Sequence, residues 1–352
     1  MDQNKIERQI PVIDISELLK NDEDKNQEIL QKTVNEIHQA MKNIGFMYIK
    51  GCNISSEFME KVMQLAKEFF ALPLEEKKKI HIKDQGMSWR GYFECGYELT
   101  SGKPDQKEGY YFGNEHEKDQ KEVIQKFPTF GQNVWPEKEI PQFKETFYEY
   151  WGKLRKVAEA VFEGISLGLG LEKDYMKKRF TSNPTVLFRI FNYPEHNFPA
   201  DADEFGVREH TDYGFLTILK QDNSGGLEVR NRDGEWISAP PIEDTFVVNI
   251  GDMLELWTHS IYKATPHRVK NKANHDRISM PYFYDPNWDS TLERIPRQLL
   301  DQNQLEEVQK KHQNQRWDGV DISHISKDVT YGDYLWKKIS KVFPELAESK
   351  RE

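Results

Sequence analysis

VLFRIFNY (186–193), FLTILKQ (215–221), GLEVRN (226–231), EWISA (235–239), TFVVNI (245–250), LELWT (254–258), HRVK (267–270) and RISMPYFY (277–284) are the stretches that decide how this chain folds. Each is short, rich in β-branched or aromatic residues and bounded by turn formers, as in Asn231-Arg232-Asp233-Gly234. Many short strands at close spacing predict an antiparallel jelly roll or sandwich rather than βαβ units.

Outward from this block the periodicity changes. Between about Asp24 and Ile44, apolar residues recur at Ile29, Leu30, Val34, Ile37, Ala40, Met41 and Ile44, the spacing of a helix that Gly45 can stop. IPVIDI (10–15) and GFMYIKG (45–51) read as strands, the first near a sheet edge because of Pro11. Ser55 and Ser56 can cap a helix carrying Phe58, Met59, Val62, Met63, Ala66, Phe69 and Phe70. Pro73 can open a short helix that ends in Lys77-Lys78-Lys79, read as solvated. A long helix over Ile140–Leu167 has the stripe Phe143, Phe147, Trp151, Leu154, Val157, Val161 and Ile165, with Gly168 and Gly170 beyond it. A last helix spans Tyr331–Phe343. Helices and strands are segregated, so the fold class is α+β.

At 352 residues the chain can bury a large core. Its formal charge of −10 and lack of a basic run speak against nucleic acid as a partner. No apolar stretch approaches a membrane span, and MDQNKIERQI holds no signal-peptide core, so a cytoplasmic protein is expected. Two cysteines, Cys52 and Cys95, exclude a disulfide framework and a four-cysteine zinc site; both read as buried, inert thiols.

The chemistry concentrates in a few residues. If His210-Thr211-Asp212 runs on into FLTILKQ, His210 and Asp212 point to one strand face. His267, 55 residues on, opens another strand. Two histidines and one carboxylate can hold an octahedral metal and leave up to three positions open, the facial triad of non-haem Fe(II) oxygenases. A turn hydrogen bond between His210 and Asp212 is the plainer alternative. Arg277 and Ser279 share a further strand face, and a guanidinium fork with a hydroxyl suits the carboxylate of a diacid. A structural partner such as a glutamate would also explain a buried arginine. No HExxH helix pair supports a zinc hydrolase.

HxD…H…RxS in an all-β stretch resembles the 2-oxoglutarate- and Fe(II)-dependent oxygenases, in the branch of isopenicillin N synthase and the plant flavonoid and hormone dioxygenases. IPVIDI, GFMYIKG, FFALPLEEKKKI, DQKEGYYFG (105–113), FNYP, HTDYGFLTILKQD, FVVNIGDMLELWT and YGDYLWKKISKVFP are similar to successive parts of that branch. The resemblance implies a double-stranded β-helix (jelly-roll) core with N-terminal and C-terminal helices packed around it. It implies a helix-rich N-terminal region over 1–182, an oxygenase core over 183–290 and a C-terminal helical extension over 291–352. His210, Asp212 and His267 would be catalytic iron ligands. Arg277 and Ser279 would hold the distal carboxylate of 2-oxoglutarate, and Tyr193 would hydrogen-bond that cosubstrate. Asn249 and Gly251-Asp252 match a turn read as structural.

The implied cofactors are Fe(II), 2-oxoglutarate as cosubstrate, O2 and ascorbate as reductant. The implied reaction is hydroxylation or desaturation of a small molecule, with release of succinate and CO2. Phe191, Tyr110, Phe112, Tyr213 and Phe283 are candidates to line the substrate pocket, with a core role as the alternative for each. His259 and His275 read as surface. Lys50-Gly51-Cys52 and Phe191-Asn192-Tyr193 depart from the plant pattern, so no plant substrate is transferred. A cosubstrate-independent iron oxidase of the same fold and a non-enzymatic binding protein are the alternatives. A monomer is expected, with a homodimer as the other case.

Overall fold

A computed structural model of the chain describes residues 9–100, 102–195, 205–270, 275–311, 326 and 328–343. The strands are β1 (Val12–Asp14), β2 (Phe46–Lys50), β3 (Gly91–Phe93), β4 (Leu99–Thr100), β5 (Lys103–Pro104), β6 (Glu108–Gly113), β7 (Pro184–Tyr193), β8 (Phe205–His210), β9 (Leu216–Gln221), β10 (Leu227–Arg230), β11 (Trp236–Ser238), β12 (Phe246–Ile250), β13 (His267–Lys270) and β14 (Arg277–Asn287). The helices are α1 (Gln27–Asn43), α2 (Ser56–Ala71), α3 (Leu74–Lys78), α4 (Lys121–Ile124), α5 (Phe143–Gly168), α6 (Tyr175–Arg179), α7 (Asp252–Trp257), α8 (Gln302–Lys311) and α9 (Tyr331–Val342).

Two sheets build the jelly roll. The larger has the order β1-β2-β12-β9-β14-β7-β6-β3 and the smaller β11-β10-β13-β8. β1 sits at the edge, as Pro11 requires, and pairs parallel with β2. Besides its helices the N-terminal region supplies β1, β2, β3 and β6, which are strands of the same large sheet as the core. Of the 291–352 extension, α8 and α9 are described; the N-terminal residues 1–8 lie outside the described residues.

Alternation along the central strands sorts side chains to two faces. Phe188, Tyr282 and Tyr284 point outward and meet α5. Phe147 and Tyr150 lie 5.9 and 5.7 Å from Phe188, Trp151 lies 5.5 Å from Tyr282, and Phe162 lies 5.5 Å from Tyr284, centroid to centroid. Each ring so buried contributes roughly 1.5–3 kcal/mol. Leu187, Arg189, Phe191 and Tyr193 on β7, and Arg277, Ser279, Pro281 and Phe283 on β14, point the other way. They line a cavity of about 130 Å³ between the two sheets.

Four elements or residues differ from the sequence expectation. LELWT is helical, because Gly251 and Asp252 open a turn whose residues are buried on every side; a short apolar run has no period to separate strand from helix. Lys77 is buried, with Nζ 2.8 Å from Glu108 Oε2 and 3.0 Å from the Phe70 carbonyl. Only Lys78 and Lys79 end that helix in solvent. Cys52 is buried as expected, but Cys95 is exposed. His259 is half-buried, 2.8 Å from the Ile295 carbonyl through Nε2. The expected cap on α2 does form: Ser55 Oγ accepts from the Phe58 amide at 3.2 Å.

Candidate metal and cosubstrate site

His210 is the last residue of β8, and His267 is its register partner at the start of β13. Pairing across the small sheet brings the imidazole centroids to 4.3 Å. Asp212 does not lie on a strand running into β9; it sits in the tight connection between β8 and β9. That connection is held by Gly251 at the mouth of α7, where the Asp252 amide donates to the Asp212 carbonyl at 2.8 Å. A Cβ on Gly251 would lie 2.4 Å from the Gly214 carbonyl oxygen and 2.9 Å from that of Asp212, so only glycine fits. The NIGD turn thus shapes the loop that carries the carboxylate.

Asp212 Oδ1 lies 3.9 Å from His210 Nε2 and 3.8 Å from His267 Nε2. One ligand atom from each residue lies within 4.8 Å of the others, the one such trio among the described residues. The other carboxylate oxygen is spoken for. Thr217 Oγ1 and Asn249 Nδ2 both donate to Oδ2 at 2.6 Å, so a single oxygen faces the imidazoles. Asn249, expected to be structural, and Thr217 are residues whose part in the site sequence reasoning missed; a polar side chain in an apolar strand, FVVNI or FLTILKQ, is the signal for each.

Each histidine has its Nδ1 against a main-chain carbonyl, Arg208 at 2.8 Å and Thr265 at 3.2 Å. A carbonyl can only accept, so Nδ1 carries the proton and Nε2 turns an open lone pair inward. Burial, then the neighbouring His267, push the His210 pKa down to about 4, which leaves it neutral near pH 7 as a metal ligand must be. Burial pushes the Asp212 carboxyl up, but the two imidazoles and the bonds from Thr217 and Asn249 outweigh it and hold it below the usual carboxylate range. Phe46 fixes the His267 ring edge to face at 5.3 Å.

Along the same cavity wall, Arg277 is 1% exposed. Its Nε donates to the Gly225 carbonyl at 2.6 Å and its Nη2 to Gln221 Oε1 at 3.3 Å, whereas Nη1 is buried without a hydrogen-bond partner. Among the described residues no glutamate pairs with it; the guanidinium lies 4.8 Å over the Tyr193 ring. A buried, uncompensated guanidinium N–H is costly. An anion at Nη1 removes that cost, so these residues fit a carboxylate cosubstrate. Ser279 lies on the same β14 face, two residues on.

Of the aromatic pocket candidates, Phe191, Tyr213 and Phe283 line the cavity. Tyr110 and Phe112 do not. They lie on the outward face of β6, opposite Ile190 and Phe188, and pack on Phe143 at 5.6 Å and Trp135 at 4.9 Å. Tyr111 between them faces inward beside Arg189. One residue of alternation separates a pocket residue from a core residue. His275 is exposed, 3.0 Å from Ser224 Oγ through Nε2.

Residues 10–138 match a family described as non-haem dioxygenase in morphine synthesis N-terminal, and residues 184–286 match the 2OG-Fe(II) oxygenase superfamily. The chain is 43% identical to a probable iron/ascorbate oxidoreductase of Dictyostelium discoideum, covering 96% of each protein. It is 37% identical to a 1-aminocyclopropane-1-carboxylate oxidase of Dictyostelium mucoroides, covering 97% of each. Among solved structures, a full-length Neurospora crassa protein in complex with alpha-KG aligns with a TM-score of 0.75 at 28% identity, covering 94% of this chain and 96% of that one. With a two-histidine, one-carboxylate cluster and an anion-seeking arginine on a jelly roll that has these relatives, the chain belongs to the 2OG-Fe(II) oxygenase superfamily and is a non-haem iron oxidoreductase with Fe(II) and 2-oxoglutarate as its cofactors.

Proposed function

We propose that the protein hydroxylates or desaturates a small molecule, coupled to conversion of 2-oxoglutarate to succinate and CO2. The observation that carries this reading is the convergence of His210 Nε2, His267 Nε2 and Asp212 Oδ1 in the cavity that Arg277 also enters. In this reading His210, Asp212 and His267 hold Fe(II), while Arg277 and Ser279 take the distal carboxylate of 2-oxoglutarate beside Tyr193. When bound, iron and cosubstrate supply the activation of O2. The protein's own residues do the rest. Thr217 and Asn249 restrict Asp212 to one donor oxygen. The Arg208 and Thr265 carbonyls hold both imidazoles in the ligating tautomer. Arg277 aligns the cosubstrate, and Phe191, Tyr213 and Phe283 keep water from the reacting carbon. Scarce cysteine supports a cytoplasmic setting. Among the described residues no helix is long and apolar enough to cross a membrane.

The test is anaerobic loading with Fe(II) and 2-oxoglutarate, read by the visible charge-transfer band of the chelate, followed by succinate formation in air. The expected result is a band and succinate in the wild type, and neither in Asp212→Ala. Arg277→Ala should raise the 2-oxoglutarate requirement roughly 10- to 150-fold, the equivalent of about 1.5–3 kcal/mol for lost charge-assisted bonds. Wild-type turnover by Asp212→Ala would sink the assignment. Likeness to a 1-aminocyclopropane-1-carboxylate oxidase supplies the competing outcome: iron binding without band or succinate would select a cosubstrate-independent oxidase.

A further inference from the structure

Besides the cosubstrate arginine, the cavity wall holds a second, half-buried guanidinium, Arg189, and an acid–base cluster to which the proposed reaction gives no role. Lys107 Nζ lies 2.8 Å from Glu98 Oε2 and also bonds Asp105 Oδ2. Tyr111 donates its hydroxyl to the same Glu98 oxygen at 3.0 Å. Glu98 Oε2 is thereby engaged. Its other oxygen, Oε1, forms an ion pair with Arg189 Nη1 at 3.5 Å, whereas Arg189 Nε is buried with no hydrogen-bond partner. The guanidinium is gripped by three rings, with centroids at 5.2 Å for Trp89, 4.5 Å for Tyr111 and 4.8 Å for Phe283. Such stacking fixes the plane of the fork and leaves its edge to donate.

Strand geometry separates this guanidinium from the first. Tyr193 is the register partner of Arg277, and Arg189 lies two same-face steps back along β7, about 13 Å on. One five-carbon diacid anchored at Arg277 does not extend to both backbone positions. Beyond Glu98 and Lys107, the wall near Arg189 is formed by Phe191, Phe283, Tyr213 and, from α9, Leu335 and Val342.

We propose that Arg189 is the anchor for the oxidised substrate, and that this substrate is a small carboxylic acid. Its carboxylate takes the unpaired edge of the guanidinium, and its carbon skeleton lies between Phe283 and Tyr213. The inference rests on the iron and 2-oxoglutarate reading above.

The experiment uses the full chain loaded with Fe(II) and 2-oxoglutarate in air. Succinate formation is followed with L-leucine, L-phenylalanine, L-lysine, hexanoate and phenylacetate, each paired with its primary carboxamide. At least one acid should stimulate succinate formation about tenfold or more over its amide, because the amide loses the charge-assisted fork. Arg189→Gln should erase that acid-to-amide ratio, and Arg189→Lys, which keeps the charge, should restore part of it. The ratio is taken within each protein, so a change in total activity cancels. Amides that match their acids, acids that all fail to stimulate, or a ratio that survives in Arg189→Gln would overturn the anchor. A wild type with no chelate band and no probe-free succinate would instead overturn the cofactor reading on which it rests.

Discussion

Asp212 shows at the scale of a residue how neighbours convert an ordinary side chain into a ligand. A free carboxylate offers two equivalent oxygens; here Thr217 and Asn249 hold Oδ2 at 2.6 Å each and leave Oδ1 for the metal. Asn249→Ala should therefore weaken Fe(II) binding about 10- to 100-fold, the usual effect of losing a partner that orients a ligand, read by iron titration. An unchanged affinity would mean that Thr217 alone suffices. Asp285 is a second case. Its Oδ1 accepts from the Phe215 amide at 2.8 Å and its Oδ2 from the Tyr331 hydroxyl at 2.6 Å, yet burial pushes its pKa up to about 7. Between the ordinary aspartate value and about 7 the folded carboxyl keeps a proton that the unfolded chain has released. Its contribution to stability is therefore present at low pH and lost as pH rises through the folded value. Asp285→Asn lacks this titration. From pH 5 to pH 8 the variant should gain about 2–3 kcal/mol on the wild type in denaturant unfolding. Parallel pH curves would show that Asp285 is already ionised at pH 5.

Among the elements, α9 is the helix that reaches the cavity, bringing Leu335 and Val342 to a wall otherwise built by strands and loops. Its N-terminus is a capping box. Thr330 Oγ1 accepts from the Asp333 amide at 3.1 Å, and Asp333 Oδ2 accepts from the Thr330 amide at 3.4 Å. The next turn is pressed against the sheet. A Cβ on Gly332 would lie 2.2 Å from Trp288 Cε2, so the helix backbone reaches the indole directly. Thr330→Ala should cost α9 about 1 kcal/mol and speed exchange of its first-turn amides roughly fivefold, while exchange in α5 is unchanged. Equal acceleration in both helices would show that α9 opens only with the whole molecule. At the same scale, β6 shows why residue type alone does not separate pocket from core. Tyr110, Tyr111 and Phe112 are similar in chemistry, and only their alternation about the sheet assigns the middle one to the Arg189 side.

For the whole molecule the decisive fact is that segments far apart in the chain share one sheet. β2 pairs with β12 through Phe46↔Asn249 and Val247↔Tyr48, and β6 pairs with β7 through Tyr111↔Arg189. The buried Lys77–Glu108 pair ties α3 to β6 as well. A fragment beginning at residue 183 would lose β1, β2, β3 and β6 together with the α5 rings that cover Phe188 and Tyr282. It should show no cooperative unfolding transition in denaturant. Cooperative unfolding of that fragment would establish that the chain from residue 183 onward folds without the N-terminal strands.

From the sequence alone came the residue types and their local pattern: short strands, amphipathic helices with their caps, and the HxD…H…RxS spacing. These are legible because periodicity and turn chemistry act over a few residues. Tertiary structure decided the rest, because proximity between distant segments has no local signature. Pairing of β8 with β13 set His210 against His267. The packing of NIGD against the Asp212 loop made Asn249 a partner of the carboxylate. The face of each β6 and β7 residue separated pocket from core, and left Arg189 half-buried with its Nε unpartnered. None of these contacts lies within a single element, so no single stretch of sequence records them.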